Sequence, residues 1–397
     1  MKSTVLIKNV LLDGRKCNIL IEGGTIESTD APEGFQADNT IDADGMAVLP
    51  AFYNTHAHAP MNLLRGYADD MALQKWLNEY IWPFEKGMTA DDMCDGAGMA
   101  VDEMVRTGTV AYYDMYFNSE RTAAKAVEKG MRAIVAETFF EHTAGNVGAY
   151  IRTLNAWNSA SDGKVRLAVA PHAIYTNSTE SLTSLAKAAR DNGALLNIHL
   201  SETKGEVDAC VEKYGMTPVR YLDSIGFLGP DVTAAHCVWI DREEWDILAR
   251  RGVTVSHCPC SNMKLGSGIF PYRDAMASGV TITLATDGAA SNNNLDMREE
   301  MKFAALLSKV NGDVECLPAC EVLRWATENG AKAFGIDGGV IAAGKVADMI
   351  LIDLGDFRLN PCHNLIANWV YAASSDCITT VICDGKVIYS KTDVQSH

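Results

Sequence analysis

The two ends of the chain share one hydrophobic pattern, and the middle has another. At the amino end, Val5-Leu6-Ile7, Cys17-Asn18-Ile19-Leu20-Ile21 and Ala47-Val48-Leu49 are short apolar runs, with Asp13-Gly14 and Gly23-Gly24 as turn residues between them. The carboxyl end repeats this texture. Ala347-Asp348-Met349-Ile350-Leu351-Ile352 and Thr380-Val381-Ile382-Cys383 are strand-like, and Asp384-Gly385 marks a hairpin before Val387-Ile388-Tyr389. Neither end carries enough strand to enclose a core alone. Together they predict one composite β-sandwich domain, from residues 1–50 and 345–397.

Between them, apolar strands alternate with helical segments, the pattern of βα units around a parallel sheet. The strands fall near residues 49–54, 109–115, 133–138, 167–170, 195–199, 233–236, 254–256 and 281–286. A helix over 89–106 opens on Thr89-Ala90-Asp91-Asp92, a cap with an acidic first turn, and stops at Gly108. Another runs over 180–191 and ends at Asn192-Gly193. Eight such units predict an α/β fold, a (β/α)8 TIM-like barrel over 51–344, and place any chemistry at the carboxyl ends of the strands.

With 397 residues, 48% of them hydrophobic, the chain has ample core for this plan. A net charge of −17 argues against a nucleic-acid partner. The apolar amino-terminal stretch is interrupted by Lys8, Asn9 and Asp13, so it reads poorly as a signal peptide. No run approaches the roughly 20 apolar residues of a membrane helix. The expectation is a cytoplasmic protein acting on a small molecule, with no nucleic-acid or membrane partner and with homo-oligomerisation left open. The 11 cysteines form no disulfide-like framework. Cys258 and Cys260 form a CxC whose leading reading is packed thiols, with a second metal as the competing one. Cys17, Cys362, Cys377 and Cys383 are expected in the β-domain core.

Histidines mark the strand ends. In Thr55-His56-Ala57-His58 two imidazoles two positions apart share one face of an extended strand and can chelate one cation. His199 closes the fifth strand, with Glu202 three residues on, where a carboxylate can serve a water held by a metal. His236 closes the sixth, His172 the fourth and His257 the seventh. Asp287, after the eighth, reads alone either as a ligand or as a capping Asp. Six of the nine histidines thus gather at one predicted rim, which scattered core histidines would not do.

At this point the chain resembles a known family. PAFYNTHAHAPMNLLRGYADD, HLSET, AAHCVWI, SHCPCSNMKLGSG and LATDGAASNNNLDM look like successive signatures of the amidohydrolase superfamily, in the branch of methylthioadenosine/S-adenosylhomocysteine deaminases with related triazine chlorohydrolases. WATENGAKAFG and GKVADMILID extend the likeness toward the carboxyl end. The resemblance implies that His56, His58, His199 and Asp287 bind one divalent metal, zinc or alternatively iron. Pro171-His172 offers no lysine for a two-metal bridge. It implies that Glu202 carries a proton from water to a ring nitrogen, that His236 orients the water, and that Asp287 also accepts its proton. Ser291 and His172 would touch the purine. In the tract 76–85, Trp76 would pack on the substrate and Glu85 would accept ribose hydroxyls. Retention of Glu202 favours ammonia over chloride as the leaving group.

One departure bears on the substrate. The arginines that relatives present to an amino-acid carboxylate after the third strand are missing; Glu137 and Asn146 stand near those places, and Arg152 is the nearest candidate. Glu137 and Glu141 are expected to repel an anionic tail. This favours a neutral substrate such as adenosine, 5′-deoxyadenosine or methylthioadenosine over S-adenosylhomocysteine. The alternatives are a hydrolase of another aminated or halogenated heterocycle (pterin, free base, triazine) and a non-catalytic binding or scaffold descendant of the fold.

Overall fold

A computed structural model describes residues 2–310 and 314–394. The last three residues of the expected segment 345–397, His397 among them, lie outside the described residues. Eight parallel strands follow one another around a nearly closed barrel: Phe52–Ala57, Thr109–Tyr116, Arg132–Phe139, Val165–Pro171, Leu196–Leu200, Val232–His236, Thr254–His257 and Thr281–Leu284, each paired with its neighbour in sequence. They are buried along almost their whole length, as expected of strands covered by helices outside and packed side chains inside.

Side chains bridge the seam between the first and eighth strands. Asn54 Nδ2 donates to Thr286 Oγ1 (2.7 Å), Asn54 Oδ1 accepts from the Thr286 amide (3.1 Å), and Thr55 and Thr283 hydroxyls meet at 2.6 Å. The Asp287 amide then donates to the His56 carbonyl at 3.1 Å. The seam therefore sets the register that brings His56 beside Asp287, residues more than half the chain apart.

The expected first strand differs in one respect. Residues 49–54 are not one strand: Met46–Pro50 belongs to the terminal sheet, and Phe52–Ala57 to the barrel. The run is apolar throughout because both halves are buried, so hydrophobicity alone hides the switch at Ala51. The eighth strand stops at Leu284, not at 286, which frees Thr286 for the seam.

The termini share one eight-stranded mixed sheet. Its order is Lys386–Ser390, Ile378–Cys383, Met349–Asp353, Met46–Pro50, Thr4–Leu12, Arg15–Glu22 and Thr25–Ser28, with Asn39–Asp42 beside Thr4–Leu12. Ile7, Ile19, Val48, Met349 and Leu351 form its own apolar cluster. Thr25–Ser28 and Asn39–Asp42 lack an apolar pattern and escape sequence reading. Cys17, Cys377 and Cys383 are buried as expected, but Cys362 is exposed, lying in the surface loop after the short Phe357–Leu359 turn.

The helix Ala90–Arg106 begins with a closed capping box: Thr89 Oγ1 accepts from the Asp92 amide and Asp92 Oδ2 from the Thr89 amide. At Gly96 this helix lies against the loop that follows His58, where a Cβ would stand 2.5 Å from the Pro60 carbonyl oxygen. The helix Thr179–Asp191 is capped by Ser178. No helix among the described residues is long and apolar enough to cross a membrane.

Candidate active site

At the carboxyl-terminal mouth of the barrel the candidate ligands converge. His58 Nε2 lies 3.1 Å and His56 Nε2 3.5 Å from Asp287 Oδ1, and His58 Nε2 is 3.3 Å from His199 Nε2. Two overlapping sets, His56-His58-His199 and His56-His236-Asp287, each bring three ligand atoms within 4.8 Å of one another.

The outward hydrogen bonds decide what these atoms offer. His58 Nδ1 donates to the Met115 carbonyl (2.6 Å) and His199 Nδ1 to the His172 carbonyl (2.8 Å). A carbonyl only accepts, so each ring donates from Nδ1 and turns Nε2 inward, toward the other ring and Asp287. Positive charge held between these inward-facing atoms satisfies them together. Among the described residues, His56 makes no hydrogen bond from either ring nitrogen, and Asp287 Oδ1 meets nothing beyond the facing imidazoles. The buried set of imidazoles and one carboxylate fits a single divalent metal.

Burial alone would raise the Asp287 carboxyl, but the facing His56 and His58 override it and hold it well below the usual carboxylate range. Burial pulls His56 down to about 4. It also disfavours charge on His58, yet Asp287 lifts that imidazole to about 9, a measure of how strongly this carboxylate attracts positive charge. Asp287 Oδ2 is pinned by Ser261 Oγ (2.6 Å) and Ser291 Oγ (2.9 Å).

Glu202 and His236 stand beside the cluster. Glu202 Oε2 is 3.8 Å from His236 Nε2, while Ser267 Oγ donates to Glu202 Oε1 at 2.9 Å. Burial raises the Glu202 carboxyl. His236 Nδ1 pairs with Asn262 Oδ1 at 2.8 Å, leaving Nε2 to face the cavity. Ser261, Asn262 and Ser267 were not singled out by sequence reasoning. They all lie in the SNMKLGSG tract, whose polar and glycine-rich makeup after a barrel strand was the available signal.

The cavity over the cluster is lined by His58, Trp76, Glu85, His172, Glu202 and Asp287, together with further aromatic and aliphatic side chains. Trp76 is fixed by its indole N–H on the Ala68 carbonyl (3.1 Å). Burial raises the Glu85 carboxyl against a hydrogen bond from Tyr116. His172 stacks on Phe140 with ring centroids 4.8 Å apart. An outer chamber continues to solvent between Trp82, Phe117 and Phe140, with Lys86 and His142 at its edge.

Several expected residues lie elsewhere. Ser291 does not line the cavity: its hydroxyl is spent on Asp287 and the Gly288 carbonyl, so it supports the ligand from behind. His257 turns outward to Tyr272 (2.8 Å) and stacks on Phe270. Glu137 and Glu141 do not face a substrate tail. The Glu137 carboxylate accepts from the Ser119 amide (3.0 Å), and Glu141 from the Ser178 amide (2.6 Å). Each is turned to a helix start, because free amides there attract a carboxylate. Arg152 is exposed and bonds the Gly148 carbonyl. Cys258 and Cys260 are buried, burial pushes both thiols up, and neither joins a metal-ligand group among the described residues.

A nearly closed parallel barrel with imidazoles and a carboxylate gathered at its carboxyl-terminal mouth defines a metal-binding α/β barrel of the hydrolase type. The chain belongs to the amidohydrolase family, whose model matches residues 47–388. It is 43% identical to a 5′-deoxyadenosine deaminase of Methanosarcina acetivorans, over 97% of this chain and 92% of the relative. It is 44% identical to a 5-methylthioadenosine/S-adenosylhomocysteine deaminase of Pelotomaculum thermopropionicum, over 96% and 90% respectively. Among solved structures, an adenosine deaminase from Xanthomonas campestris with bound zinc superposes with a TM-score of 0.91 at 31% identity, covering 97% of this chain and 92% of that one.

Proposed function

We propose that this protein is a metal-dependent hydrolytic deaminase of adenosine-like nucleosides, releasing ammonia. The observation that carries the reading is Glu202, a buried carboxyl with raised proton affinity, held 3.8 Å from His236 beside the imidazole–carboxylate cluster at the base of an aromatic cavity. His56, His58, His199 and Asp287 would hold one divalent metal, zinc in the first instance and iron as the alternative. When bound, the metal supplies a nucleophile at neutral pH by lowering the pKa of water toward about 7.

The chain's own residues do the rest. Water adds to the ring carbon that bears the amine. Glu202 gives a proton from Oε2 to the adjacent ring nitrogen, while Ser267 occupies Oε1. His236 Nε2 orients the water, and the Asp287 carboxylate takes its proton. Glu202, now a carboxylate, takes the proton of the new hydroxyl and passes it to the amine, which leaves as ammonia as the ring carbonyl forms; the proton on Asp287 then returns to Glu202. Trp76 and His172 pack against the substrate, and Glu85 accepts hydroxyls from the sugar. Ser291 serves Asp287 and is not assigned a purine contact.

The preference for a neutral tail now rests on a different ground. Glu137 and Glu141 are tied to helix starts and repel nothing in the cavity. The rings of Trp82, Phe117 and Phe140 make the chamber apolar where the 5′ substituent would lie, which suits a 5′-deoxy or 5′-methylthio group. Ammonia release from 5′-deoxyadenosine, methylthioadenosine, adenosine, S-adenosylhomocysteine, guanine, a pterin and an aminotriazine tests the reading. The first two should turn over fastest. Release confined to the pterin, the free base or the triazine overturns the nucleoside assignment, and a metal-replete protein inert to all of them overturns the deaminase.

A further inference from the structure

The sequence Thr203-Lys204-Gly205-Glu206 has the spacing of a helix capping box. In two other helices of this chain the same device closes on its own cap. Asp92 accepts from the Thr89 amide at 2.8 Å, and Glu244 from the Asp241 amide at 3.0 Å. Glu206 does not. Thr203 Oγ1 accepts from the Glu206 amide (3.2 Å) as a cap should, but the Glu206 carboxylate passes over the Thr203 amide. It reaches back to the Ser201 amide with Oε1 (2.9 Å) and to the Glu202 amide with Oε2 (2.8 Å).

Those two amides flank a backbone that needs holding. Ser201 has φ +51°, in the left-handed region that a non-glycine residue avoids, and among the described residues its hydroxyl has no hydrogen-bond partner to compensate. The Ser201 carbonyl accepts from the amides of Val238 (3.1 Å) and Trp239 (2.9 Å), in the loop that follows His236. The Ser201–Glu202 turn is thus gripped from one side by Glu206 and from the other by the neighbouring loop. Glu206 is itself 6% exposed. Burying a carboxylate is costly unless its hydrogen bonds are made, and both oxygens of Glu206 are spent on this turn rather than on the cap of its own helix.

We infer that Glu206 is a positioning residue: its buried carboxylate, bonded to the two successive amides of Ser201 and Glu202, holds the left-handed turn that aims Glu202 into the cavity. The inference rests on the reading of Glu202 as the proton carrier. It assigns Glu206 no contact with substrate or metal.

The test uses the metal-replete full chain, with 5′-deoxyadenosine as probe and metal content measured on each variant. Glu206→Gln replaces one acceptor by an amino group that cannot accept from a backbone amide. It should lower kcat about 10–100-fold, with KM and bound metal within about threefold of the parent. Ser201→Gly in that background should restore much of the loss, because glycine keeps a positive φ without a clamp. In a Glu202→Gln background, Glu206→Gln should lower kcat no further. A folded Glu206→Gln with a lower Tm and unchanged kcat is what a simple helix cap gives, and overturns the inference. So does an equal loss in both Glu202 backgrounds. If Glu206→Gln does not fold, Ser201→Gly/Glu206→Gln carries the test: recovery of fold and turnover supports the clamp, and a folded double variant without turnover overturns it. Near-native turnover in Glu202→Gln alone overturns the proton-carrier reading itself, and this inference with it.

Discussion

Two buried polar clusters lie at opposite ends of the barrel, and they are finished differently. At the amino-terminal end, Arg132 donates to both oxygens of Asp348 (2.7 and 2.6 Å), Tyr53 donates its hydroxyl to the same carboxylate (2.6 Å), and the Asp384 amide completes it (2.6 Å). Asp384 in turn pairs with Arg132 and Lys164. Every charge there has an opposite charge or a donor, and the network joins the terminal sheet to the barrel. At the carboxyl-terminal end, His56 makes no hydrogen bond among the described residues, imidazole Nε2 atoms crowd against one another, and Ser201, His236, Cys237 and Asp287 all take positive φ. Each such residue costs roughly 1–3 kcal/mol and persists only where its surroundings impose it. The satisfied cluster holds the fold; the strained, unsatisfied one is shaped for something that binds there.

Substitutions at the two ends should therefore separate turnover from stability. The largest effect is expected from Glu202→Gln, which should keep the metal and the fold but lose about 10²–10⁴-fold in kcat. Ammonia release with metal analysis on the same sample checks it, and a parallel fall in Tm would blur the contrast. Asp348→Ala should do the reverse. It takes both Asp348 oxygens from the buried Arg132 guanidinium and leaves it Asp384 alone, so denaturant unfolding should show a loss of up to about 3–5 kcal/mol, with kcat of the folded fraction near the parent value. A matching loss of kcat would show that the two ends are coupled.

Asn262→Ala sharpens the picture within the mouth. It removes the acceptor of His236 Nδ1 and frees the ring to turn, so kcat should fall about 10–100-fold while Tm changes little. The last effect is read in the pH dependence of stability and concerns Glu300, buried behind the mouth with its carboxylate on the Cys260 amide and Asn292. Burial raises it to about 8. The folded state thus holds this proton more tightly than the unfolded chain does. Its contribution to stability is full below the unfolded value near 4.5 and is lost as pH rises through about 8. Glu300→Gln should flatten the decline of stability between pH 5 and 9, a slope of at most about 1.4 kcal/mol per pH unit. Denaturation midpoints across that range, unchanged in shape by the substitution, would contradict it.

Much of this was legible beforehand because strands carry their meaning in a local pattern. The βα alternation placed His56, His58, His199, His236 and Asp287 on one rim, and the structure brings them together there. The misreadings share a cause. The apolar run 49–54 is buried in two different sheets, so hydrophobicity could not show the break at Ala51. Polar stretches such as Asn39–Asp42 become strands only because Thr4–Leu12 offers an edge to pair with.

What the sequence determined by itself is which chemical groups exist and on which end of the barrel they stand, because a parallel βα repeat sends every strand end to the same face. Where each side chain spends its hydrogen bonds was decided only by the tertiary structure. Glu137 and Glu141 left the cavity for helix amides, Ser291 and Ser261 went to Asp287, His257 to Tyr272, and Glu206 past its own cap to Ser201 and Glu202. The physical reason is that a buried polar group must find a partner, and the nearest one usually comes from a segment remote in sequence.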